Sequence, residues 1–417
     1  MNLAVISVAA LALAVVVSCV TSLNVGVLAI ALAWLIGVYL GGMTTASVMS
    51  GFPSQLFLTL TGVMLFFTLA QSNGTLARLT HHAVRTCRGN RGVVPIMFFV
   101  LAAALSSMGP GNIATAALMA PMAMATAGRA GIPLFLMAIM VGNGANAGAL
   151  SPFAPTGIIV SGLMTRMGLP GLEYQTFFYN VLGHAVAAFG GYLLLGGLKL
   201  FALDAVDLSS SPDDDDDPSL AFKPRHIITL VLIALLLLTV ILFDVNVGMA
   251  AFVGSTILVL LKCADDVEAI KRMPWRVIVM VCGVTVLITL LEKAQGIDLL
   301  VSLVARISTG ETVTAVVAFM TGIISVYSST SGVVLPALLP MVPGLARELG
   351  GADPLAIASS MNIGGHLVDV SPLSTIGALC IAAAPAGHDT RVLFNKLLAW
   401  GLSMCVVAAG VCYLFFG

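Results

Sequence analysis

Charge is what this 417-residue chain has least of: Lys, Arg, Asp and Glu make up 9% of it, against 59% hydrophobic residues. Soluble domains carry roughly 25% charged residues, so a water-exposed globular fold is excluded. The net charge of -1 gives no reason to expect nucleic acid as a partner. The cysteines (Cys19, Cys87, Cys263, Cys282, Cys380, Cys405, Cys412) show no CxxC or metal-type spacing, which argues for small buried apolar residues and against a disulfide framework. Nucleotide-binding, HExxH and GxSxG strings are missing, so ATP-driven pumping and hydrolysis have no support and no enzyme or organic cofactor is expected. Also missing are the short alternating segments of a transmembrane β-barrel. The first twenty residues lack a cationic start and a small-residue cleavage site, and read as a retained span.

What remains is apolar sequence in runs of about twenty residues, long enough to cross the hydrocarbon core. Mean hydropathy is +1.07. The fold class is therefore all-α and polytopic, with about ten transmembrane helices. Spans are expected near 2–20, 25–42, 54–72, 133–163 and 175–202, then 226–243, 246–262, 275–292, 354–384 and 393–416. A hydrophilic linker, 209–225 with its run Asp213 to Asp217, divides the chain into a first repeat, 1–208, and a second, 226–417. The linker's acidic run reads as a solvated segment. The segment Arg78 to Arg91, with His81 and His82, reads as an interfacial amphipathic helix beside the first hairpin described next.

Two stretches without charge, 92–127 and 312–346, are each broken by a polar apex, Ser106-Ser107-Met108-Gly109-Pro110-Gly111-Asn112 and Ser328-Ser329-Thr330-Ser331-Gly332. The spans that follow, 133–163 and 354–384, are themselves interrupted, at Gly142 to Ser151-Pro152 and at Asn362 to Ser371-Pro372. Pro121 corresponds to Pro340 and Gly157 to Gly377, so an internal repeat is expected. Broken helices recurring in both halves point to a transport site.

Basic residues set the topology. With the linker cytoplasmic, only Arg166, Lys293, Arg306 and Arg347 of the 18 Lys and Arg residues fall on the opposite side. An odd number of crossings on each side of the linker inverts one repeat relative to the other. Arg91 and Arg129 then bracket 92–127 on the inner side, while Glu311 and Arg347 bracket 312–346 on the outer side. Parity allows a re-entrant hairpin or two full spans in each place. Glycine and hydroxyl apices favour hairpins, since exposed backbone polar groups are tolerated at membrane depth only when buried in protein or lining a wet cavity. The two apices are expected to meet at the midplane.

The string Gly111-Asn112-Ile113-Ala114-Thr115-Ala116-Ala117 leading to Pro121 resembles the Ser-Asn-Thr hairpin of the divalent anion/sodium symporter family of the ion transporter superfamily. Phe52 to Leu60, Ala70 to Leu76 and His366 to Ser374 are similar to the MatC dicarboxylate (malonate) carriers. The resemblance implies a scaffold domain, a moving domain holding both hairpins, elevator-type alternating access, carboxylate substrates usually coupled to sodium ions, and a homodimer. It places the chain in the plasma membrane, the bacterial inner membrane, as a multi-pass protein surrounded by the lipid bilayer. By position the two Ser-Asn-Thr motifs become Gly111-Asn112-Ile113 and Thr330-Ser331-Gly332, with Asn112 alone identical.

The residue chemistry agrees. A small dicarboxylate held at the midplane needs neutral donors and helix N-termini, and Asn112, Ile113, Ser151, Pro152, Thr330, Ser331, Gly332, Ser371 and Pro372 are the expected substrate contacts. No basic residue stands at either apex. Sodium needs oxygen acceptors, expected around Ser106, Ser107, Gly111, Asn143, Asn146, Ser328, Ser329 and Asp369. Glycine and serine also serve plain helix packing, the blander reading of each. A carboxylate in a broken span is costly without a partner or cavity. Asp369 has two readings: a structural hydrogen bond to His366 three residues earlier, or a direct role with His366 in handling substrate, cation or proton. Besides a dicarboxylate carrier, a carrier of another anion or of sodium against protons stays open, followed by a channel or intramembrane enzyme.

Overall fold

The computed structural model describes residues 2–21, 23–85, 90–203 and 221–417. The run Asp213 to Asp217 lies outside them. Every regular element among the described residues is helical. The first repeat contains α1 (Leu3–Val20), α2 (Val25–Leu35), α3 (Thr45–Met49), α4 (Ser54–Ser72), α5 (Thr75–Arg85), α6 (Val93–Ser107), α7 (Gly111–Ala130), α8 (Leu134–Ala147), α9 (Pro155–Arg166) and α10 (Glu173–Leu194). The second contains α11 (Pro224–Phe243), α12 (Val247–Leu260), α13 (Asp266–Arg272), α14 (Trp275–Lys293), α15 (Gly296–Ala305), α16 (Val313–Tyr327), α17 (Leu335–Leu338), α18 (Val342–Glu348), α19 (Pro354–Leu367), α20 (Thr375–Ala382) and α21 (Thr390–Phe416).

Among the described residues eight helical segments are long and apolar enough to cross a membrane, including the composite stretches Thr330–Glu348 and Pro354–Ala382. The protein is a multi-pass membrane protein. Both expected hairpins form: α6 turns into α7 at Met108 to Pro110, and α16 turns into the return arm at Ser328 and Ser329. Both interrupted spans break where the Ser-Pro pairs stand, α8 into α9 and α19 into α20.

The two return arms differ. In α7 one internal proline, Pro121, leaves the helix continuous. The outer arm instead passes through a π-turn at Thr330–Val334, then α17, a 3-10 turn at Leu339–Met341 and α18. Pro336, Pro340 and Pro343 each remove an N–H donor from that ladder, and Pro336 and Pro343 stand in the first turns of α17 and α18, where a missing donor costs least.

Packing is reciprocal between the repeats. Helix α2 lies on α14 and α12 on α4; α6 lies on α8 and α16 on α19. The crossings rest on glycines, because a side chain would hold the backbones apart. A Cβ on Gly26 would sit 2.6 Å from Met280 Cα, and one on Gly248 would sit 2.5 Å from Thr59 Cα. The broken spans repeat the device against the hairpins: a Cβ on Gly144 would lie 2.9 Å from Phe99 Cα, and one on Gly364 would lie 2.6 Å from Ala318 Cα. Amphipathic α5 packs on α6, α7 and α11, and its counterpart α15 packs on α1 and α18. Helices α6 to α10 pack with α16 to α21 as one body and α1, α2, α4, α11, α12 and α14 group as another, the two meeting where α4 lies on α9 and α14 on α17.

Candidate functional site

The inner apex needs glycine. Gly109 and Gly111 have φ of 135° and 78°, in the region that favours glycine. With Pro110 between them they turn the chain within three residues, and α7 starts at Gly111 with its first-turn N–H groups unpaired by the helix. At the outer apex Ser329 caps the return arm, its Oγ accepting from Gly332 N at 3.2 Å. Pro155, at the first position of α9, restarts the broken span where the missing donor does no harm.

These pieces line one cavity of 330 Å³ between the two bodies. Gly109 to Ala114 come from the inner apex, Ser329 and Ser331 from the outer, Pro155 and Thr156 from α9, and Thr68 and Gln71 from α4. Arg272, Pro274 and Val277 complete it from α13 and the start of α14. Asn112 and Ser331, far apart in sequence, therefore share a cavity. The N-terminal ends of α7, α9, α14 and the outer return arm all border it. Positive dipole ends and hydroxyl or amide donors around this space favour an anion.

The predicted residues divide by what they do here. Asn112 lines the cavity, yet its Nδ2 donates to Asn146 Oδ1 at 2.8 Å and its Oδ1 accepts from Ile113 N at 3.0 Å. Asn146 Nδ2 reaches on to His366 O at 3.3 Å, so the inner apex is tied to both broken spans. Ile113 presents a 47% exposed side chain to the cavity. Ser331 Oγ lies 3.2 Å from Thr156 Oγ1. Gly111 and Ser329 also line the space.

The others do not. Ser151 Oγ donates to Ser107 O at 2.7 Å, fastening the first break to the apex. Pro152 lines a separate cavity of 620 Å³ on the far side of α9, with Gly51 to Leu56, Arg166 and Asp244. Gly332 faces Met280, Ser371 is buried against Gly401, and Pro372 is buried. Asn143 Oδ1 pairs with His184 Nδ1 at 2.9 Å. Ser328 Oγ lies 2.7 Å from Ser18 Oγ on α1. Ser106 Oγ is buried without a hydrogen-bond partner, and Ser107 Oγ donates to Ala103 O at 2.7 Å.

One expected bond is corrected. His366 and Asp369 do not pair: His366 Nδ1 meets Asn362 O at 2.9 Å, and Asp369 Oδ1 accepts from Thr330 Oγ1 at 2.9 Å. The cause is local geometry. Helix α19 ends at Leu367 and tightens into a 3-10 turn at Val368–Val370, which turns Asp369 toward the outer apex. Thr330 Oγ1 also lies 3.2 Å from Gly365 O, and a Cβ on Gly365 would sit 3.2 Å from Ser325 Oγ, a buried hydroxyl without a partner. A hydroxyl, a carbonyl and a carboxylate thus gather at the outer apex, with a second hydroxyl beside them.

Sequence reading missed Thr68, Gln71, Thr156 and Arg272. Thr156 was findable, since it follows the proline that restarts the broken span. In the sequence Arg272 stands out only as one of the basic residues that set the topology.

Residues 1–149 match the family model described as "Dicarboxylate carrier protein MatC N-terminus". No match to the chain was found among curated proteins. Among solved structures the chain is similar to the YdaH transporter of Alcanivorax borkumensis, with TM-score 0.61 and 16% identity over 88% of this chain and 87% of that one. It is also similar to MtrF of Neisseria gonorrhoeae, described within a class of antimetabolite efflux pumps, with TM-score 0.61 and 14% identity over 92% of this chain and 85% of that one. At such identity these likenesses speak for the fold. The carrier match over the first third of the chain supports a role in membrane transport.

Proposed function

We propose that this chain is a secondary carrier of small dicarboxylates such as malonate, coupled to sodium, in which the body holding both hairpins moves against the other by an elevator mechanism. The observation that carries the reading is the single cavity bordered by both hairpin apices and by several helix N-termini, with Ser329, Ser331, Thr156 and Gln71 as neutral donors. Neutral donors suit a carrier, which must release its anion as well as bind it. The volume of 330 Å³ falls in the roughly 300–1,000 Å³ range of small-molecule sites. The match of residues 1–149 to a dicarboxylate carrier model supports the substrate class. The packing into two bodies, with the cavity between them, supports the movement.

Sodium coupling is supported by the oxygens around Thr330 Oγ1, Asp369 Oδ1, Gly365 O and Ser325 Oγ, hard acceptors of the kind an alkali cation takes. Proton coupling is the second reading, favoured by His366 Nε2 and His184 Nε2, both buried without hydrogen-bond partners. Uptake of labelled malonate and succinate into proteoliposomes, with sodium and pH gradients imposed separately, decides between them. The expected result is saturable uptake driven by sodium alone, with the sodium dependence flattened in Asp369→Asn, whose side-chain oxygen can still accept from Thr330. Uptake driven only by the pH gradient supports the second reading, and no uptake of either acid refutes the substrate class.

A further inference from the structure

We propose that Arg272 is the residue that recognises the second carboxylate of the substrate, and that Glu268 is the internal anion the substrate displaces to reach it. Among the residues lining the 330 Å³ cavity, Arg272 is the one with a charged side chain. Every other polar group there is a neutral donor or acceptor, able to hold one carboxylate but indifferent to a second charge. The inference rests on the dicarboxylate reading above and adds what distinguishes a dicarboxylate from a monocarboxylate.

The guanidinium is held in place by its own element. Helix α13 packs on α4, Ala269 and Met273 beside it are buried, and Trp275 Nε1 donates to Ile270 O at 2.7 Å, locking the start of α14 to it. Asp265 caps the helix, its Oδ1 accepting from Glu268 N at 2.9 Å. Arg272 is the last residue of α13, just ahead of the cavity-lining Pro274. It packs with α4 and lines the same cavity as the two apices.

Its present partner is weakly bound. Arg272 Nε donates to Glu268 Oε1 at 2.8 Å, one turn back on the same helix, with side chains 61% and 47% exposed. Solvent-exposed pairs of this kind contribute little. The bond uses one of the five guanidinium donors and leaves the fork through which arginine grips a carboxylate bidentately. A substrate carboxylate arriving from the apices therefore exchanges for Glu268 at low cost. The same competition keeps the grip from becoming permanent, which a carrier requires.

The test measures binding of malonate and of its monomethyl ester, a near-isostere with one carboxylate, to the purified full chain in detergent. Wild type is expected to prefer malonate. Arg272→Gln should lose about tenfold in malonate affinity while ester affinity changes by less than about twofold, and Arg272→Lys should fall between. Glu268→Gln should tighten malonate binding, and should do nothing in the Arg272→Gln background. A thermal melt of each variant checks the fold, which two exposed side chains should not disturb. Equal losses for both ligands, or an unchanged ratio in Arg272→Gln, would overturn the assignment. A wild type that binds malonate and its ester equally well overturns it too, while one that binds neither malonate nor succinate refutes the dicarboxylate reading itself.

Discussion

Asn112 and Ser331 stand at facing apices of the same cavity but contribute differently. Asn112 is 8% exposed and spends its amide on Asn146. Replacing it with Ala leaves Asn146 Oδ1 buried without that donor, a loss on the order of 1–3 kcal/mol that should appear as a lower unfolding temperature in detergent. Ser331 is only partly buried, and its hydroxyl is shared with Thr156. Ser331→Ala should leave the unfolding temperature nearly unchanged while weakening malonate binding by about 0.5–1.5 kcal/mol, the range of a neutral hydrogen bond. If both variants lost stability alike and bound malonate normally, the donors would have to be sought elsewhere. Both residues were legible from the apex strings, because glycine and hydroxyl residues in the middle of charge-free sequence have few other reasons to be there. The partner of Asp369 was not. Spacing suggested His366, but the hydrogen bond comes from Thr330 on the other hairpin, and nothing in local sequence announces which distant hydroxyl arrives first.

Elements were read more fully than side chains. Spans, hairpins and breaks appeared where hydropathy and the Ser-Pro pairs put them, since a membrane leaves a chain few choices besides helices. The segmented outer arm was less legible: its prolines are visible, but the sequence of π-turn, α17, 3-10 turn and α18 is set by what each short piece packs against. Glycines at the crossings give this scale its prediction. A side chain at Gly364 would meet the carbonyl of Ala318 and, both at 2.6 Å, its Cα and the hydroxyl of Thr321, where the backbone cannot yield easily. Gly364→Ala should cost about 1–3 kcal/mol through overpacking. Gly190 in α10 has nothing within 4 Å of an added Cβ. Gly190→Ala should be neutral or stabilise by up to about 1 kcal/mol through helix propensity. Thermal unfolding of the two variants side by side checks the contrast, and equal behaviour would mean that the close approach at Gly364 is not what holds α19 to α16.

At the scale of the whole molecule the repeats place two hairpin apices and the first broken span around one space, and neither half lines that space alone. The sequence implied this convergence through parity and the basic residues. It did not imply that α4, α13 and α14 would close the space from the opposite body, because those helices carry no break. The central claim is that a dicarboxylate occupies the cavity where the apices meet. Ile113, lining it with a 47% exposed side chain, is placed to report occupancy. The most direct measurement is the alkylation rate of Ile113→Cys, in a background with Cys19 and Cys87 replaced by Ser, with and without saturating malonate. The account predicts that malonate slows alkylation at the concentrations that saturate uptake, while its monomethyl ester protects only at higher concentration. An alkylation rate that malonate leaves unchanged, in a variant that still takes malonate up, would contradict it.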